Sequence, residues 1–396
     1  MFIDKELTMW DAIERVRPAK MSDDEIDAKY ESRSWRILTE TNREQLPNFY
    51  EALNRPNWID IRPFYQRRQR WDEPKQSKLI ESFIMNIPVP PLFLYESEFS
   101  KYEVMDGQQR ITAIREFFSN NLRLTGLEQW PELNGKTYAK LPGSIKRGID
   151  RRSISYTVLL AESAENVVDK YAIRKMVFER LNTSGVDLSN QEIRNSLFYG
   201  KFNTMMIGLA TDPIFRRAWR LPLYSETERT NPSRDLLDNN FYGKMLDVEV
   251  VLRFFALRNI EHYQRGMQGF LDLYMLKAKE FSDDDLAELN ELFFRTLGLA
   301  NDIFGELLFR PWMGDEECWS KRPHVAFADA VMVGVCRNLN NAAALLARKE
   351  RVIQGTRELF VTHEDGTFTG RGNSKKDVKE RIDYFSAMLS NIAAAD

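Results

Sequence analysis

The chain has 396 residues, of which 43% are hydrophobic, 12% aromatic and 29% charged, so it can bury a sizeable core and general disorder is excluded. The formal net charge of −3 excludes a general basic surface, so nucleic-acid binding would depend on local clusters or on a partner. Two cysteines without a CxxC spacing argue against a disulfide framework and a structural zinc site, and they favour a reducing cytoplasm.

Residues 1–50 are predicted to form a charged N-terminal arm, in which DAIERV and DEIDAKY indicate short helices. The first residues are charged throughout and lack the apolar stretch of a signal peptide. The apolar runs are far shorter than the roughly 20 residues that span a bilayer. We therefore expect a soluble, cytoplasmic protein that does not use a membrane.

Residues 51–165 are predicted to form a small mixed α/β domain. Four short strands are expected, at WIDI (58–61), PLFLYE (91–96), KYEVM (101–105) and ISYTVLL (154–160). Between them, KQSKLIESFIMN (75–86) and ITAIREFF (111–118) have the apolar spacing of helices. This α+β pattern differs from the regular alternation of a doubly wound sheet.

Residues 166–396 are predicted to form a mainly helical domain with a basic C-terminal segment. Apolar residues recur at helical spacing in VVDKYAIRKMVFERL, DVEVVLRFFALR, FLDLYMLKAKEF and LAELNELFFRTLGLANDIFGELLF. A Gly/Asn-rich loop, DGTFTGRGNS, then precedes a basic amphipathic helix, KKDVKERIDYFSAMLSNI. The chain therefore combines an α+β part with a helical part.

The stretch VMDGQQRITAIREFF (104–118) leads from a predicted strand through Asp-Gly into a helix. Helix N-termini present backbone N–H groups and positive potential, and a glycine lets a phosphate approach the backbone. Arg110 offers a fork for phosphate oxygens, Gln108 and Gln109 can orient water, and Asp106 can hold Mg²⁺. The residues alone also fit a simple Asp-Gly turn with a salt-bridged arginine.

Two other segments carry basic residues that suit nucleic acid. RPFYQRRQRW (62–71) places Arg62, Arg67, Arg68 and Arg70 around Tyr65 and Trp71, which suits phosphate contacts and base stacking. The tail holds the basic or polar residues Arg371, Asn373, Lys375, Lys376, Lys379 and Arg381. Each segment fits a solvated charged surface equally well.

A third polar segment is VFERLNTSGVDLSNQEIRNSLFYGKF (177–202). Ser189 and Glu192 form a predicted capping box at the start of a helix. The remaining polar residues are Glu179, Arg180, Asn182, Gln191, Arg194 and Asn195. They form either an interhelical hydrogen-bond network or the wall of a ligand site.

Several enzyme signatures are missing from the sequence. There is no GxxxxGK[ST], no HExxH and no GxSxG, and His262, His324 and His363 are isolated. Nuclease chemistry that depends on clustered histidines would need a closer group. The sequence therefore shows no obvious DNA-cutting site. Nuclease sites made of two carboxylates and a lysine vary too much in spacing for the sequence to exclude one.

Six segments taken in order resemble the DUF262 family, the ParB/sulfiredoxin-like N-terminal part of GmrSD-type, modification-dependent restriction systems. They are YQR with a following Trp (65–71), PVPPLFLYE (88–96), VMDGQQRITAI (104–114), FERLNTSGVDLSNQEIRNSLFYGKF (178–202), DVEVVLRFFAL (247–257) and the GxxNSKKDVKERI tail (370–382). The resemblance covers about Trp58 to the C-terminus. It implies a ParB/sulfiredoxin-like fold for residues 51–165.

The resemblance also implies roles for particular residues. Asp106, Gln108, Gln109 and Arg110 match the family's NTP-hydrolysis motif, with Asp106 as the metal ligand. The implied nucleotide-binding residues are Gly107, Thr112, Tyr65, Gln66, Arg67, Asn182, Arg194 and Asn195. The implied DNA-binding residues are Arg62, Arg68, Arg70, Lys375 and Lys376. The implied cofactor is Mg²⁺ or Mn²⁺ with a nucleoside triphosphate.

By the same resemblance, the chain is expected to be the separate NTPase subunit of a restriction system. It would sense foreign or modified DNA and control a partner nuclease of the His-Asn-His type, and a homo-oligomer is compatible with this role. The sequence contains no such nuclease pattern, so cutting by this chain alone is not expected. The alternative is a DNA- or nucleotide-binding recognition or scaffold subunit that does not hydrolyse NTP.

Overall fold

The computed structural model describes residues 2–10, 22–31, 37–56, 58–60, 71–160, 167–181, 188–229 and 232–395. The α-helices are α1 (Asp4–Thr8), α2 (Asp23–Glu31), α3 (Leu46–Leu53), α4 (Glu73–Met85), α5 (Gln108–Phe118), α6 (Gly143–Asp150), α7 (Val167–Leu181), α8 (Asn190–Leu197), α9 (Lys201–Leu209), α10 (Pro213–Ala218), α11 (Arg234–Leu237), α12 (Asn240–Gly243), α13 (Leu246–Arg258), α14 (Gly266–Lys277), α15 (Asp283–Phe304), α16 (Val325–Arg337), α17 (Ala342–Ala347), α18 (Lys349–Thr362) and α19 (Lys375–Ala394). The strands are β1 (Thr39–Gln45), β2 (Ile59–Asp60), β3 (Leu92–Glu98), β4 (Lys101–Asp106), β5 (Ser153–Leu159), β6 (Trp312–Met313) and β7 (Cys318–Trp319).

The chain divides into two compact units. The first, which we call the sheet unit, comprises Arg17–Leu188. The second, the helical unit, comprises Met1–Val16 together with Ser189–Asp396. These borders differ from the predicted ranges 1–50, 51–165 and 166–396, because α1 packs with the C-terminal helices and α7 packs against β4.

The sheet unit contains a five-stranded mixed sheet in the order β1-β5-β3-β4-β2. β1 and β5 are antiparallel, as are β3 and β4, whereas β5 and β3 are parallel and so are β4 and β2. Apolar residues from the sheet and from α3 to α6 share one core, which includes Phe49, Ile80, Leu94, Ile114 and Phe117. The coarse prediction of a mixed α/β part is confirmed, and the ParB/sulfiredoxin-like assignment stays a prediction.

The four predicted strands correspond to β2, β3, β4 and β5, and the predicted helices at 75–86 and 111–118 to α4 and α5. β1, with the sequence TETNREQ, lies within the predicted N-terminal arm. It pairs with β5 at one edge of the sheet, and six of its seven residues are exposed. A strand with both faces exposed has no apolar alternation, so the sequence pattern did not reveal it.

The helical unit is built around α13, α16 and α19. α16 is buried along most of its length, and Gly334 lies so close to α19 that a Cβ there would be 2.7 Å from a ring carbon of Phe385. The predicted mainly helical character of this part is confirmed for the described residues. No single described helix is long and apolar enough to cross a membrane. The consecutive segments Val325–Arg337 and Leu339–Ala347, which are bent by 70° relative to each other, together have the length and composition of a membrane span, by these two criteria alone.

Candidate functional site

A tight turn at the end of β4 forms the candidate site. Asp106 is the last residue of β4, and Gly107 caps the N-terminus of α5 with a φ of 97°. A side chain at Gly107 would be strained by this left-handed conformation, and its Cβ would overlap with Leu92 Cδ2. The glycine predicted at the helix entry is therefore required by the backbone.

Arg110 holds this turn together. Its Nη2 is 2.7 Å from Asp106 Oδ2, and its Nη1 donates to the carbonyl of Pro90 and, at 3.1 Å, to that of Pro91. The Arg110 side chain is only 11% exposed and that of Asp106 30%. Arg110 thus joins the first turn of α5 to the residues that lead into β3.

Gln109 joins the turn to the segment that precedes α4. The backbone N–H of Trp71 donates to Gln109 Oε1 at 3.1 Å, and Gln76 Nε2 donates to the Trp71 carbonyl at 2.9 Å. Trp71 closes the segment RPFYQRRQRW, so the structure brings the end of that segment to the turn. Thr112, a predicted nucleotide-binding residue, donates its hydroxyl to the Gln108 carbonyl at 2.9 Å.

The turn has a favourable electrostatic position for an anion. α5 is 11 residues long, and its N-terminus carries the positive end of the helix dipole at Gln108. Gln108 and Gln109 are half-buried there. The turn therefore combines a helix N-terminus, two amide side chains and one carboxylate, the residue types that the sequence predicted.

A further polar cluster on β4 escaped the sequence analysis. Glu103 forms an ion pair with Arg174 of α7, whose guanidinium lies 4.3 Å from the centre of the Tyr95 ring. Burial raises the pKa of the Tyr95 hydroxyl, and Arg174 opposes that rise. Glu103 and Arg174 are 71 positions apart in the sequence, and no local spacing could have indicated their ion pair.

Several predicted residues lie outside the described residues. These are Arg62, Tyr65, Gln66, Arg67, Arg68, Arg70 and Asn182. The roles assigned to them, in nucleotide binding for Tyr65, Gln66, Arg67 and Asn182 and in DNA binding for the others, stay predictions.

Arg194 and Asn195 belong to the helical unit and take part in a buried network. Arg194 Nε is 2.7 Å from Asp272 Oδ1, and its Nη1 is 3.0 Å from Glu249 Oε2. Asn195 accepts from Gln191 Nε2 at 3.0 Å. These bonds match the hydrogen-bond network, one of the two alternatives from the sequence, while nucleotide contact by Arg194 and Asn195 stays a prediction.

The predicted capping box is confirmed, since the Ser189 hydroxyl accepts from the Glu192 N–H.

The basic tail carries less free charge than its sequence suggests. Lys379 pairs with Asp383 at 2.6 Å and with Glu261 at 3.0 Å, and Arg381 is fully buried. Of the two predicted DNA-binding residues here, Lys375 donates to the Glu261 carbonyl, while the side chain of Lys376 is 81% exposed and 3.8 Å from Glu380. DNA contact by Lys375 and Lys376 stays a prediction.

The predicted metal site at the turn has one carboxylate, that of Asp106. Within the described ranges, no group of three or more His, Cys, Asp and Glu residues is placed to hold a metal ion. Asp106 is therefore the one predicted ligand. Mg²⁺ in nucleotide sites is commonly held by one or two carboxylates together with phosphate oxygens, so the donor set fits an ion that arrives with a nucleotide.

The fold and the turn define an α+β domain in which a mixed sheet places a polar turn at a helix N-terminus. Residues 44–199 match the family described as GmrSD restriction endonuclease, N-terminal domain. The matched range is similar to this domain, and it includes the turn at 106–110, α4, α5 and β2 to β5. No curated protein and no solved structure gave a significant match.

Proposed function

We propose that this chain is the NTP-binding and NTP-hydrolysing subunit of a modification-dependent restriction system that defends against phage. The observation that carries the proposal is the Asp106–Arg110 turn at the N-terminus of α5, within a segment that matches the GmrSD N-terminal family. A helix N-terminus preceded by glycine is a general solution for binding phosphate. The match supports a role in a restriction system, and the turn supports phosphate binding as the chemistry.

In the proposed site the phosphates lie at the first turn of α5, where the helix dipole favours negative charge. Gln108 or Gln109 orients the attacking water. Asp106 holds Mg²⁺ or Mn²⁺, which would neutralise phosphate charge when it is bound. Arg110 acts mainly as a positioning residue, because its bonds to Asp106, Pro90 and Pro91 fix the shape of the turn.

The proposed partners are DNA, including modified foreign DNA, and a separate nuclease subunit of the His-Asn-His type. The three histidines do not form a cluster in the sequence, which favours a role in control rather than in cutting. With a net charge of −3, the chain is expected to bind DNA weakly and in a salt-sensitive way without its partner.

One observation favours the alternative, a recognition or scaffold subunit that binds without turnover. Asp106 and Arg110, two of the predicted catalytic residues, are bonded to each other at 2.7 Å. A carboxylate oxygen that accepts from an arginine is less available to bind a metal ion. In this alternative the turn binds nucleotide or DNA phosphate, and no phosphate is released.

Phosphate release from each of the four NTPs with Mg²⁺, with and without modified DNA, distinguishes the two functions. The informative variant is Asp106→Asn, which keeps the size of the side chain and an oxygen acceptor for Arg110 but removes the negative charge. The matched control is Arg115→Ala on the same helix, whose side chain is 40% exposed.

We expect wild type and Arg115→Ala to release phosphate and Asp106→Asn to lose at least about tenfold in rate. Absence of turnover in wild type, with nucleotide binding retained in calorimetry, would establish the recognition subunit instead. Turnover that Asp106→Asn leaves unchanged would show that the catalytic site lies elsewhere.

A further inference from the structure

The segment between α5 and β5 is basic, although the chain as a whole is acidic. Residues 121–152 contain seven lysines and arginines but only three aspartates and glutamates, whereas the whole chain has a net charge of −3. This segment escaped the sequence analysis because its basic residues are spread over a loop, a 3₁₀ turn and α6 rather than forming one run. A local excess of positive charge is what binding to a polyanion would require of an acidic chain.

Tyr138 brings the lysines of this segment together. It begins a 3₁₀ turn that ends at Lys140, and Lys136 lies two residues before it. Lys146 of α6 places its Nζ 4.6 Å from the centre of the Tyr138 ring. The Tyr138 hydroxyl donates to Asp150 at 2.7 Å, which fixes the ring against α6. The short segment with Lys136 and Lys140 is therefore held beside Lys146.

α6 adds two arginines on its solvent side. Ile145 and Ile149 pack into the core of the sheet unit, whereas Arg147 and Arg151, on the opposite side of the helix, are exposed. Residues four positions apart are neighbours on a helix surface. Arg147 Nη2 donates to Ser144 Oγ at 3.2 Å, which keeps its guanidinium near the surface of α6. The two arginines therefore form one exposed basic strip.

Arg123 extends the same surface into the loop after α5. The backbone N–H of Leu124 donates to the Lys136 carbonyl at 3.0 Å, and that of Gly135 donates to the Leu124 carbonyl at 2.7 Å. Leu124 is fully buried, while Arg123 is exposed. Arg123 therefore lies next to the segment that carries Lys136.

The positive charges of this surface are not neutralised by the described residues. The seventh cation of the segment, Arg152, donates to two carbonyls of α4 and serves the fold. Of the three carboxylates, Glu128 pairs with Lys78, Asp150 accepts from a tyrosine, and Glu132 is exposed. Within the described ranges no carboxylate forms an ion pair with the other six cations. We call these six the basic surface: Arg123, Lys136, Lys140, Lys146, Arg147 and Arg151.

We infer that the basic surface binds the phosphate backbone of duplex DNA. Six cations spread over a loop, a turn and a helix suit a polymer with a phosphate about every 3.4 Å along each strand, rather than a single phosphate. The choice of DNA among polyanions rests on the proposed function, in which DNA is a partner. Backbone contacts carry no sequence information, so this surface would position the duplex and would not recognise a modified base.

The basic surface lies at the opposite end of α5 from the candidate turn. Phe118, the last residue of α5, packs against Tyr138 with ring centroids 4.5 Å apart. Gln108 begins the same helix at the turn. An 11-residue helix is about 16 Å long. DNA on the basic surface would therefore contact the packing around the helix whose other end carries the proposed nucleotide site.

Fluorescence anisotropy on the full chain, without nucleotide, tests the surface. The probe is a labelled unmodified duplex of about 25 base pairs, titrated at salt concentrations from about 50 to 200 mM. The main variant is Arg147→Gln/Arg151→Gln, which removes two exposed charges. The matched control is Lys349→Gln/Arg351→Gln, which removes the same charge from exposed positions of α18 in the helical unit. Thermal unfolding of each variant shows whether it is folded.

We expect wild type to bind the duplex with micromolar affinity that falls as salt rises. The variant Arg147→Gln/Arg151→Gln should bind at least about tenfold more weakly at low salt, and its plot of log affinity against log salt should be shallower by about two. The control should keep the wild-type affinity and slope, because its charges lie outside the basic surface.

Three results would overturn the inference. The first is that wild type does not bind the duplex even at the lowest salt concentration. The second is that the control loses as much affinity as the main variant, because the effect would then come from net charge alone. The third is that wild type binds vesicles containing phosphatidylserine through these arginines but does not bind the duplex, which would assign the surface to a membrane.

Phosphate release from the same proteins in the absence of DNA keeps this inference separate from the proposed function. The variant Arg147→Gln/Arg151→Gln should release phosphate at the wild-type rate, because neither arginine belongs to the turn. A wild type that releases phosphate but does not bind the duplex would overturn the basic surface alone. A wild type that binds the duplex through these arginines but releases no phosphate would contradict the NTPase and support the surface.

Discussion

Glu6 and Arg258 form a buried ion pair between residues 252 positions apart. The side chains are 0% and 3% exposed. Glu6 also accepts from Asn259 Nδ2 at 3.0 Å and from the Tyr274 hydroxyl at 2.7 Å. Burial, together with Glu6, raises the pKa of Tyr274 well above its usual range, so the hydroxyl stays protonated and donates. The first helix therefore belongs to the fold of the helical unit.

We expect Glu6→Ala to destabilise the protein by about 3–5 kcal/mol, because Arg258 would keep a buried charge without its carboxylate. Urea unfolding followed by circular dichroism measures this loss. Lys5→Ala is the matched control, since its bridge to Glu280 joins side chains that are 38% and 67% exposed and such pairs contribute at most about 1 kcal/mol. Equal effects of the two substitutions would show that α1 does not pack as described.

His324 is expected to make stability depend on pH. Burial lowers the pKa of His324 from its usual 6.5, and the charge of Arg381 lowers it further, while Asp329 opposes this. Below pH 6.5 the imidazole of His324 is therefore protonated to a greater extent in the unfolded chain than in the folded chain. Stability attributable to His324 is complete above pH 6.5 and is lost as pH falls through this value toward the folded-state pKa.

The measurement is the free energy of unfolding between about pH 7.5 and pH 5 for wild type and His324→Gln. The wild-type value should fall more steeply with decreasing pH than that of the variant. Parallel curves for the two proteins would mean that His324 titrates alike in both states.

Sequence patterns predicted local structure well and long-range partners poorly. The Asp-Gly entry into α5 and the Ser189 capping box depend on residues within four positions of one another, and both are present. The two carboxylate partners of Arg194, Glu249 and Asp272, are 55 and 78 positions away, and no spacing rule connects them with Arg194. Arg381 was grouped with the surface lysines, but it lies with Val378 and Ile382 on the buried side of α19.

Gly107→Ala is expected to destabilise the sheet unit, because a φ of 97° is unfavourable for alanine and its Cβ would overlap with Leu92. The conformational cost alone is about 1–2 kcal/mol. Gly148→Ala is the control, because Gly148 lies inside α6 with no atom within 4 Å of its Cβ position. That change should stabilise the protein by about 0.5–1 kcal/mol. Comparable effects of the two substitutions in urea unfolding would contradict the left-handed turn at Gly107.

Arg110→Ala is expected to lower stability by about 1–3 kcal/mol, because Asp106 and the carbonyls of Pro90 and Pro91 would lose their donor. Arg110→Lys keeps the charge but cannot reproduce the planar fork that reaches all three acceptors, so it should recover only part of the loss. Urea unfolding of both variants, together with their rates of phosphate release, distinguishes a role of Arg110 in fixing the shape of the turn from a role in catalysis.

The two roles predict different relations between stability and rate. If Arg110 only positions the turn, Arg110→Lys should recover rate in proportion to stability, since both depend on the same bonds. If its guanidinium also contacts the phosphates, Arg110→Lys should lose rate well beyond its loss of stability, because bidentate contact is lost as well. Arg115→Ala, one turn further along α5, should change neither quantity appreciably. A variant Arg110→Ala that is as stable as wild type would contradict the bonds described at this turn.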